Sequence, residues 1–207
     1  MRLTRRLYRL ALLALHVLAG ICLQLTFSPR KSNATLSARY VRIIRWWHGR
    51  TCRILGLRVT TAGRPPEGSA FVVANHVTWM DVHVLGSVMD GSFLSKEEVR
   101  HWPIVGALAT MAGTLYIRRG GKDASNAASE LLTWNLIRGT NVLVFPEGTT
   151  SEGHGVRRFH PRLFAAALLA DRPVQPVAIR YRDGDGDEPH PIAAFVGDQG
   201  LLDNLWG

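Results

Sequence analysis

The hydrophobic positions of this chain follow three successive patterns: one continuous, one helical in period, and one short and punctuated. The continuous one is Leu10 to Phe27, an apolar run of 18 residues broken only by His16, Gln24 and a few small residues, with Arg2, Arg5, Arg6 and Arg9 before it. As a helix it rises about 27 Å, near the lower limit for crossing a bilayer core. No small-x-small cleavage site follows it, and Ile21 separates Ala19 and Gly20 from Cys22, so the run reads as a retained anchor and not as a cleaved leader. Basic residues flank it on both sides, with Arg30, Lys31, Arg39, Arg42, Arg45 and Arg50 after it. The positive-inside rule therefore selects no orientation, and a re-entrant insertion fits as well as a full span.

The second pattern is Ser37 to Arg53. Arg39, Arg42 and Arg45 recur every third residue, while Tyr40, Ile43, Ile44 and Trp47 can share the opposite face. This predicts a basic amphipathic helix carrying Trp46 and Trp47, suited to an anionic membrane surface. A basic stripe can also meet nucleic acid, but the adjacent apolar run favours lipid, and no nucleic-acid partner is expected.

From Leu57 on, short apolar runs alternate with helical patterns. Strands are predicted over Leu57–Thr60, Ala70–Ala74, Ser92–Leu94, Thr114–Arg118, Asn141–Phe145 and Gln175–Tyr181, with Pro176 restricting the last to an edge, a bulge or a strand start. Helices are predicted after Asp81 and over Asp123–Arg138, the latter capped by Asp123 and stopped by Gly139. Alternation of this kind predicts an α/β fold with a mixed, largely parallel sheet flanked by helices, behind an N-terminal membrane-associating helical segment. The expected division is a membrane anchor and basic helix over 1–56 and one domain over 57–207.

Charge sharpens this division. The 207 residues carry a net +9, yet residues 1–66 hold 13 Lys or Arg and no acid, and the remainder is net −4. The high pI belongs to the N-terminal third. Two cysteines, Cys22 and Cys52, make no disulfide framework, and free thiols are expected.

The candidate chemistry centres on Phe71 to Leu85, where a predicted strand ends at Asn75-His76 and Asp81 opens an apolar stretch. On one continuous helix, five residues turn through roughly 500°, so His76 and Asp81 would face apart. They can pair only if the chain bends between them, as a strand-to-helix turn does. An imidazole held by a carboxylate is a general base. No serine or cysteine lies in a nucleophile-elbow setting, so the nucleophile is expected to belong to the substrate. Three further stretches could hold a ligand. Gly113 to Arg119 is a strand ending in two arginines, whose forks suit phosphate or carboxylate. Phe145 to Ser151 leaves a strand through Pro146 and Gly148 and carries hydroxyls suited to an anionic or polyol substrate. Val174 to Ile179 is an apolar strand against which an acyl chain could lie.

Taken jointly and in this order, these four blocks resemble the glycerolipid acyltransferase family, which includes bacterial 1-acylglycerol-3-phosphate acyltransferases. The resemblance covers about Val59 to Arg180, and Lys96-Glu97 and Pro103-Val105-Gly106 add to it. It implies that His76 deprotonates the free hydroxyl of a lysophospholipid, with Asp81 orienting His76 and stabilising its cation. The hydroxyl then attacks an acyl thioester, acyl-CoA or acyl carrier protein, with no acyl-enzyme. Arg119 matches the family's phosphate-binding arginine. Glu147, Gly148 and Thr149 match its acceptor loop, and Asn75 and Lys96 are further substrate-binding candidates. The implied product is phosphatidic acid, made at a bacterial inner membrane with the site on the cytoplasmic side. No metal or bound cofactor is implied; the partners are membrane lipids, a lysophospholipid and the thioester donor.

Two departures qualify the acceptor. The family often has arginine where this chain has Thr150, which leaves room for lyso-ornithine lipid or another lysolipid. The chain also stops at Gly207, soon after the last block, as expected of a short member or a truncated sequence. Other classes predict differently. A metal site at His76, Asp81 and His83 lacks a recognisable zinc spacing. The run Asp183-Gly-Asp185-Gly-Asp187 lacks the glycine and closing glutamate of a calcium loop. A non-catalytic membrane-binding module would tolerate loss of His76, and a lipid hydrolase would release free fatty acid.

Overall fold

In the computed structural model, residues 2–27, 37–118, 124–183 and 193–195 are described. Arg119, the predicted cap Asp123 and most of the run from Asp183 to Asp187 lie outside them.

The described sheet has five parallel strands in the order β3-β2-β4-β1-β5, with β1 Phe71–Ala74, β2 Ser92–Lys96, β3 Leu115–Ile117, β4 Val142–Val144 and β5 Val174–Val177. β1 and β4 are fully buried, which is why they read as continuous apolar runs without alternation. Their side chains nevertheless divide by parity between two cores. Phe71, Val73, Val142 and Val144 face a cluster with Leu132 and Leu136 of α5 (Ala124–Ile137) and Ala166, Ala167 and Ala170 of α6 (Ala165–Ala170). Val72, Ala74 and Leu143 face Leu85 and Met89, at and just beyond α3 (Asp81–Val88), together with Ile179. The result is a helix–sheet–helix sandwich.

Two predicted strands differ in the structure. Leu57–Thr60 is not a strand. Leu57 and Val59 are half-buried while Arg58 and Thr60 are exposed, so the alternation is that of an extended connector with no ladder partner among the described residues. The last strand ends at Val177 instead of Tyr181, because Ile179 turns its main chain to a side chain of another loop, as described below. Pro176 pairs in register with Val73, and β5 is an edge of the described sheet, where a missing N–H is tolerated.

The N-terminal helices stack beyond α3. α1 (Arg2–Phe27) is long and apolar enough over Thr4–Leu23 to cross a membrane, and little of that stretch is buried within the protein. α2 (Ala38–Leu55) starts at Ser37, whose hydroxyl accepts the Tyr40 N–H, and ends at Gly56 in a left-handed cap. Its Arg39, Arg42 and Arg45 are exposed, while Tyr40, His48, Thr51, Cys52 and Ile54 are buried. α1 and α2 meet at His16 and Trp47. The His16 and Trp47 rings stack at 5.0 Å, and each ring is hydrogen-bonded to the other residue's carbonyl. The Tyr40 hydroxyl donates to the Met111 carbonyl at the end of α4 (Val105–Met111). Cys22 and Cys52 are free.

Candidate active site

All five strands run the same way, so their carboxyl ends meet along one edge of the sheet, the usual ligand edge of a parallel sheet. His76 follows β1, Lys96 closes β2, Arg118 follows β3, Phe145 to Ser151 follows β4, and Ile179 to Tyr181 follows β5.

The bend that the spacing of His76 and Asp81 requires is present. The Asp81 N–H closes a turn on the Thr78 carbonyl, and the Asp81 carboxylate folds back over it. Its Oδ2 accepts the Val77 and Thr78 N–H groups at 2.6 and 2.9 Å and contacts His76 Nδ1 at 2.7 Å. Its Oδ1 accepts the Tyr181 hydroxyl at 2.7 Å. Asp81 is fully buried, and three donors besides His76 converge on its two oxygens. The carboxylate is therefore the acceptor toward His76 as well, and Nδ1 carries the proton. This leaves Nε2 with a free lone pair, on a side chain that is 19% exposed. The Phe145 ring lies flat on the imidazole at 4.1 Å and 13°, fixing its plane. Burial, and then the Asp81 charge, raise the Tyr181 phenol far above its ordinary pKa, so it stays a donor.

The loop after β4 holds the histidine's main chain. Gly148 takes φ +72 to close a turn on the Phe145 carbonyl, a conformation that favours glycine. The turn buries Glu147, whose Oε1 accepts the His76 N–H at 2.7 Å and whose Oε2 accepts the Arg157 N–H at 2.9 Å. Ser151 donates from its N–H and its hydroxyl to the His76 carbonyl, at 2.8 and 3.1 Å. The Thr150 hydroxyl donates to the Phe195 carbonyl. Asn75 binds Ile179 through both amide atoms, donating to its carbonyl at 3.0 Å and accepting its N–H at 2.7 Å.

The predicted residues thus sort by position. His76 and Asp81 are in direct contact, with His76 Nε2 left open. Glu147 and Asn75 engage main-chain groups that set the His76 turn, while Thr149 and Lys96 are exposed on the same edge of the sheet. His83 does not join His76 and Asp81; its Nδ1 lies 3.0 Å from His48 Nδ1 on α2. Among the described residues, no cluster of three His, Cys, Asp or Glu side chains could hold a metal. Sequence reading missed Tyr181 and Arg157 as parts of the site, and took Phe145 and Ser151 only as ends of the loop block. Tyr181 and Phe145 lay inside predicted strands and Ser151 inside the loop block, but Arg157 carried no signal.

Comparison with known proteins shows the family. A family model described as Acyltransferase matches residues 56–180. A lyso-ornithine lipid O-acyltransferase of Pseudomonas aeruginosa is 45% identical over 187 residues, which cover 90% of this chain and 71% of that protein. A 1-acyl-sn-glycerol-3-phosphate acyltransferase of Neisseria gonorrhoeae is 38% identical over 155 residues, covering 73% of this chain and 59% of that one. The crystal structure of the 1-acyl-sn-glycerophosphate (LPA) acyltransferase, PlsC, from Thermotoga maritima superposes with a TM-score of 0.66 at 26% identity, covering 84% of this chain and 73% of that chain.

Proposed function

The chain belongs to the acyltransferase family, and on that premise we propose that it transfers a fatty acyl group from a thioester donor, acyl-CoA or acyl carrier protein, to the free hydroxyl of lyso-ornithine lipid. The observation that carries the chemistry is the 2.7 Å contact between His76 Nδ1 and Asp81, which leaves Nε2 unprotonated and reachable. Nε2 takes the proton of the acceptor hydroxyl, and the oxygen attacks the thioester carbonyl. The imidazolium that forms faces the Asp81 carboxylate. When the tetrahedral adduct collapses, the carbon–sulfur bond breaks, the ester bond remains, and the proton passes from His76 to the departing thiol. The thioester supplies all the activation the acyl group needs, so no bound cofactor or metal enters these steps.

Two observations favour this acceptor over lysophosphatidate. The Pseudomonas relative, named for lyso-ornithine lipid, shares more identity over more of this chain than the Neisseria one. Thr150 also stands where the wider family often has arginine. The second reading, phosphatidate synthesis, is supported by the Neisseria relative and the Thermotoga structure. In either case α1 would hold the enzyme at the membrane that contains its acceptor, and a cytoplasmic site would meet the thioester donors.

The test is acyl transfer in isolated membranes, offering lyso-ornithine lipid and lysophosphatidate in turn with labelled acyl-CoA and acyl carrier protein. We expect diacylated product on lyso-ornithine lipid, and loss of about 10³-fold in rate in His76→Ala, within the range for removing a general base. Product on lysophosphatidate alone would move the acceptor assignment, and free fatty acid without diacylated lipid would replace transfer by hydrolysis.

A further inference from the structure

We propose that Arg157 binds the anionic group of the acceptor's head and so sets acceptor specificity. This rests on the acyl-transfer reading above and names the part of the acceptor that is recognised. Arg157 lies outside all four blocks that mark the site in the sequence, yet two routes tie it to His76. Its N–H donates to Glu147 Oε2 at 2.9 Å, and Glu147 Oε1 accepts the His76 N–H at 2.7 Å. Its Nη1 donates to the Thr150 carbonyl at 3.3 Å, and the N–H of the same peptide, at Ser151, donates to the His76 carbonyl at 2.8 Å. The guanidinium therefore stands one peptide unit from the His76 main chain, on the order of 8 Å across the two hydrogen bonds and the peptide.

A cation tethered at that place has capacity to spare. Arg157 is exposed, and among the described residues no carboxylate pairs with it. Glu147, the acid linked to it, is taken up by two main-chain N–H groups. One guanidinium nitrogen is engaged by Thr150, and the remaining donors keep the planar fork that binds carboxylate or phosphate. Arg158, the next residue, is equally exposed but has no such tether among the described residues. An anion a few bonds from the reacting hydroxyl is common to both acceptor chemistries. Lyso-ornithine lipid keeps the amino acid's carboxylate, and lysophosphatidate has its phosphate.

The experiment is steady-state transfer by the full chain in detergent–lipid micelles, for wild type, Arg157→Ala, Arg157→Lys and Arg158→Ala. The acceptors are lyso-ornithine lipid, its carboxyl methyl ester and lysophosphatidate. Removing the Arg157 side chain leaves its N–H bond to Glu147 in place, and a thermal melt checks that each variant is folded. We expect Arg157→Ala to raise the acceptor KM about tenfold, the scale of a charged hydrogen bond at an exposed site, with donor KM and kcat near wild type. Arg157→Lys should recover part of the loss, and Arg158→Ala should match wild type. Wild type should prefer the free carboxylate over its methyl ester, and Arg157→Ala should lose that preference. A loss confined to lysophosphatidate identifies phosphate as the recognised anion. An active wild type whose Arg157→Ala variant keeps its acceptor KM and its preference overturns this proposal alone, as does a fall in kcat with KM unchanged. A folded wild type inert toward every acceptor overturns the acyl-transfer reading as well.

Discussion

Two histidine pairings meet at α3 and are built in opposite ways. His76 faces Asp81, the first residue of the helix, while His83, two residues further on, faces His48 of α2. The first pair joins an imidazole to an ionised carboxylate and leaves one nitrogen open on a partly exposed side chain. The second has no carboxylate partner among the described residues. Its rings meet at Nδ1 to Nδ1, one donating and the other accepting, so at least one must be neutral. His48 is buried, and Trp47 and Trp79 lie against His83 at 5.6 and 5.8 Å. Burial drives the His48 pKa down to about 4, and burial followed by the nearness of His48 drives His83 well below its ordinary value. The comparison shows that surroundings, and not residue type, divide the work. A counter-charge and one open nitrogen make a base, whereas burial without a counter-charge makes a neutral brace between helices.

The sharpest way to break this contrast is to remove the counter-charge. In Asp81→Asn the amide oxygen can still accept the Val77 and Thr78 N–H groups, so the turn should survive. The same oxygen still accepts from His76 Nδ1 and the amide nitrogen faces the Tyr181 hydroxyl, so the ring keeps its tautomer and loses only the charge that would stabilise its cation. We expect kcat/KM to fall by about 10³-fold, within the range for losing general-base catalysis, with a melt close to wild type. A folded variant retaining more than a tenth of wild-type kcat/KM would show that the charge of Asp81 is not what supports His76.

How far the contrast could be read from the sequence depends on separation along the chain. The pairing of His76 with Asp81 followed from a spacing of five residues and the need for a bend, because both partners lie in one turn. β1 and β4 were legible because burial on both faces leaves an unbroken apolar run. Leu57–Thr60 shows the converse, since alternation records which side of an extended segment is covered and not whether another strand pairs with it. His48 and His83 are 35 residues apart on two helices, and Tyr181 is 100 residues from Asp81. Only packing brings such groups together, and nothing local marks them. Arg157 was equally hidden, because its tether is a main-chain N–H, which every residue but proline owns.

A gentler change tests the far side of the carboxylate. Tyr181→Phe removes one buried hydrogen bond to Asp81 Oδ1 while keeping the ring. With one donor fewer, the carboxylate holds the His76 cation more tightly. The acid limb of the kcat/KM profile should therefore move to higher pH. At neutral pH the loss should be about tenfold or less, the scale of one charged hydrogen bond. An acid limb that stays in place, with activity lowered evenly at all pH values, would make Tyr181 a packing residue only.

The smallest expected effect on activity, and the cleanest test of the brace, comes from the other pair. In the unfolded chain His48 and His83 titrate near 6.5, whereas in the fold both lie below that. Above that pH neither state binds the protons and the pair costs nothing. As pH falls through 6.5 the unfolded chain takes up protons that the folded protein does not, so stability is lost, for His48 until about pH 4. The limiting slope is about 1.4 kcal/mol per pH unit for each histidine. Carboxylates and other histidines titrate in the same window, so the informative quantity is a difference between two proteins. The double variant His48→Leu with His83→Leu replaces the pair by apolar groups and leaves neither ring without its partner. Its kcat at pH 7 should stay within about threefold of wild type, because His76 and Asp81 keep all their partners. Its melting temperature should fall less than that of wild type between pH 7 and pH 5, so the difference, variant minus wild type, should rise as the pH drops. Parallel curves would mean that the buried pair already binds its protons in the folded state, and the contrast with His76 would then be one of position alone.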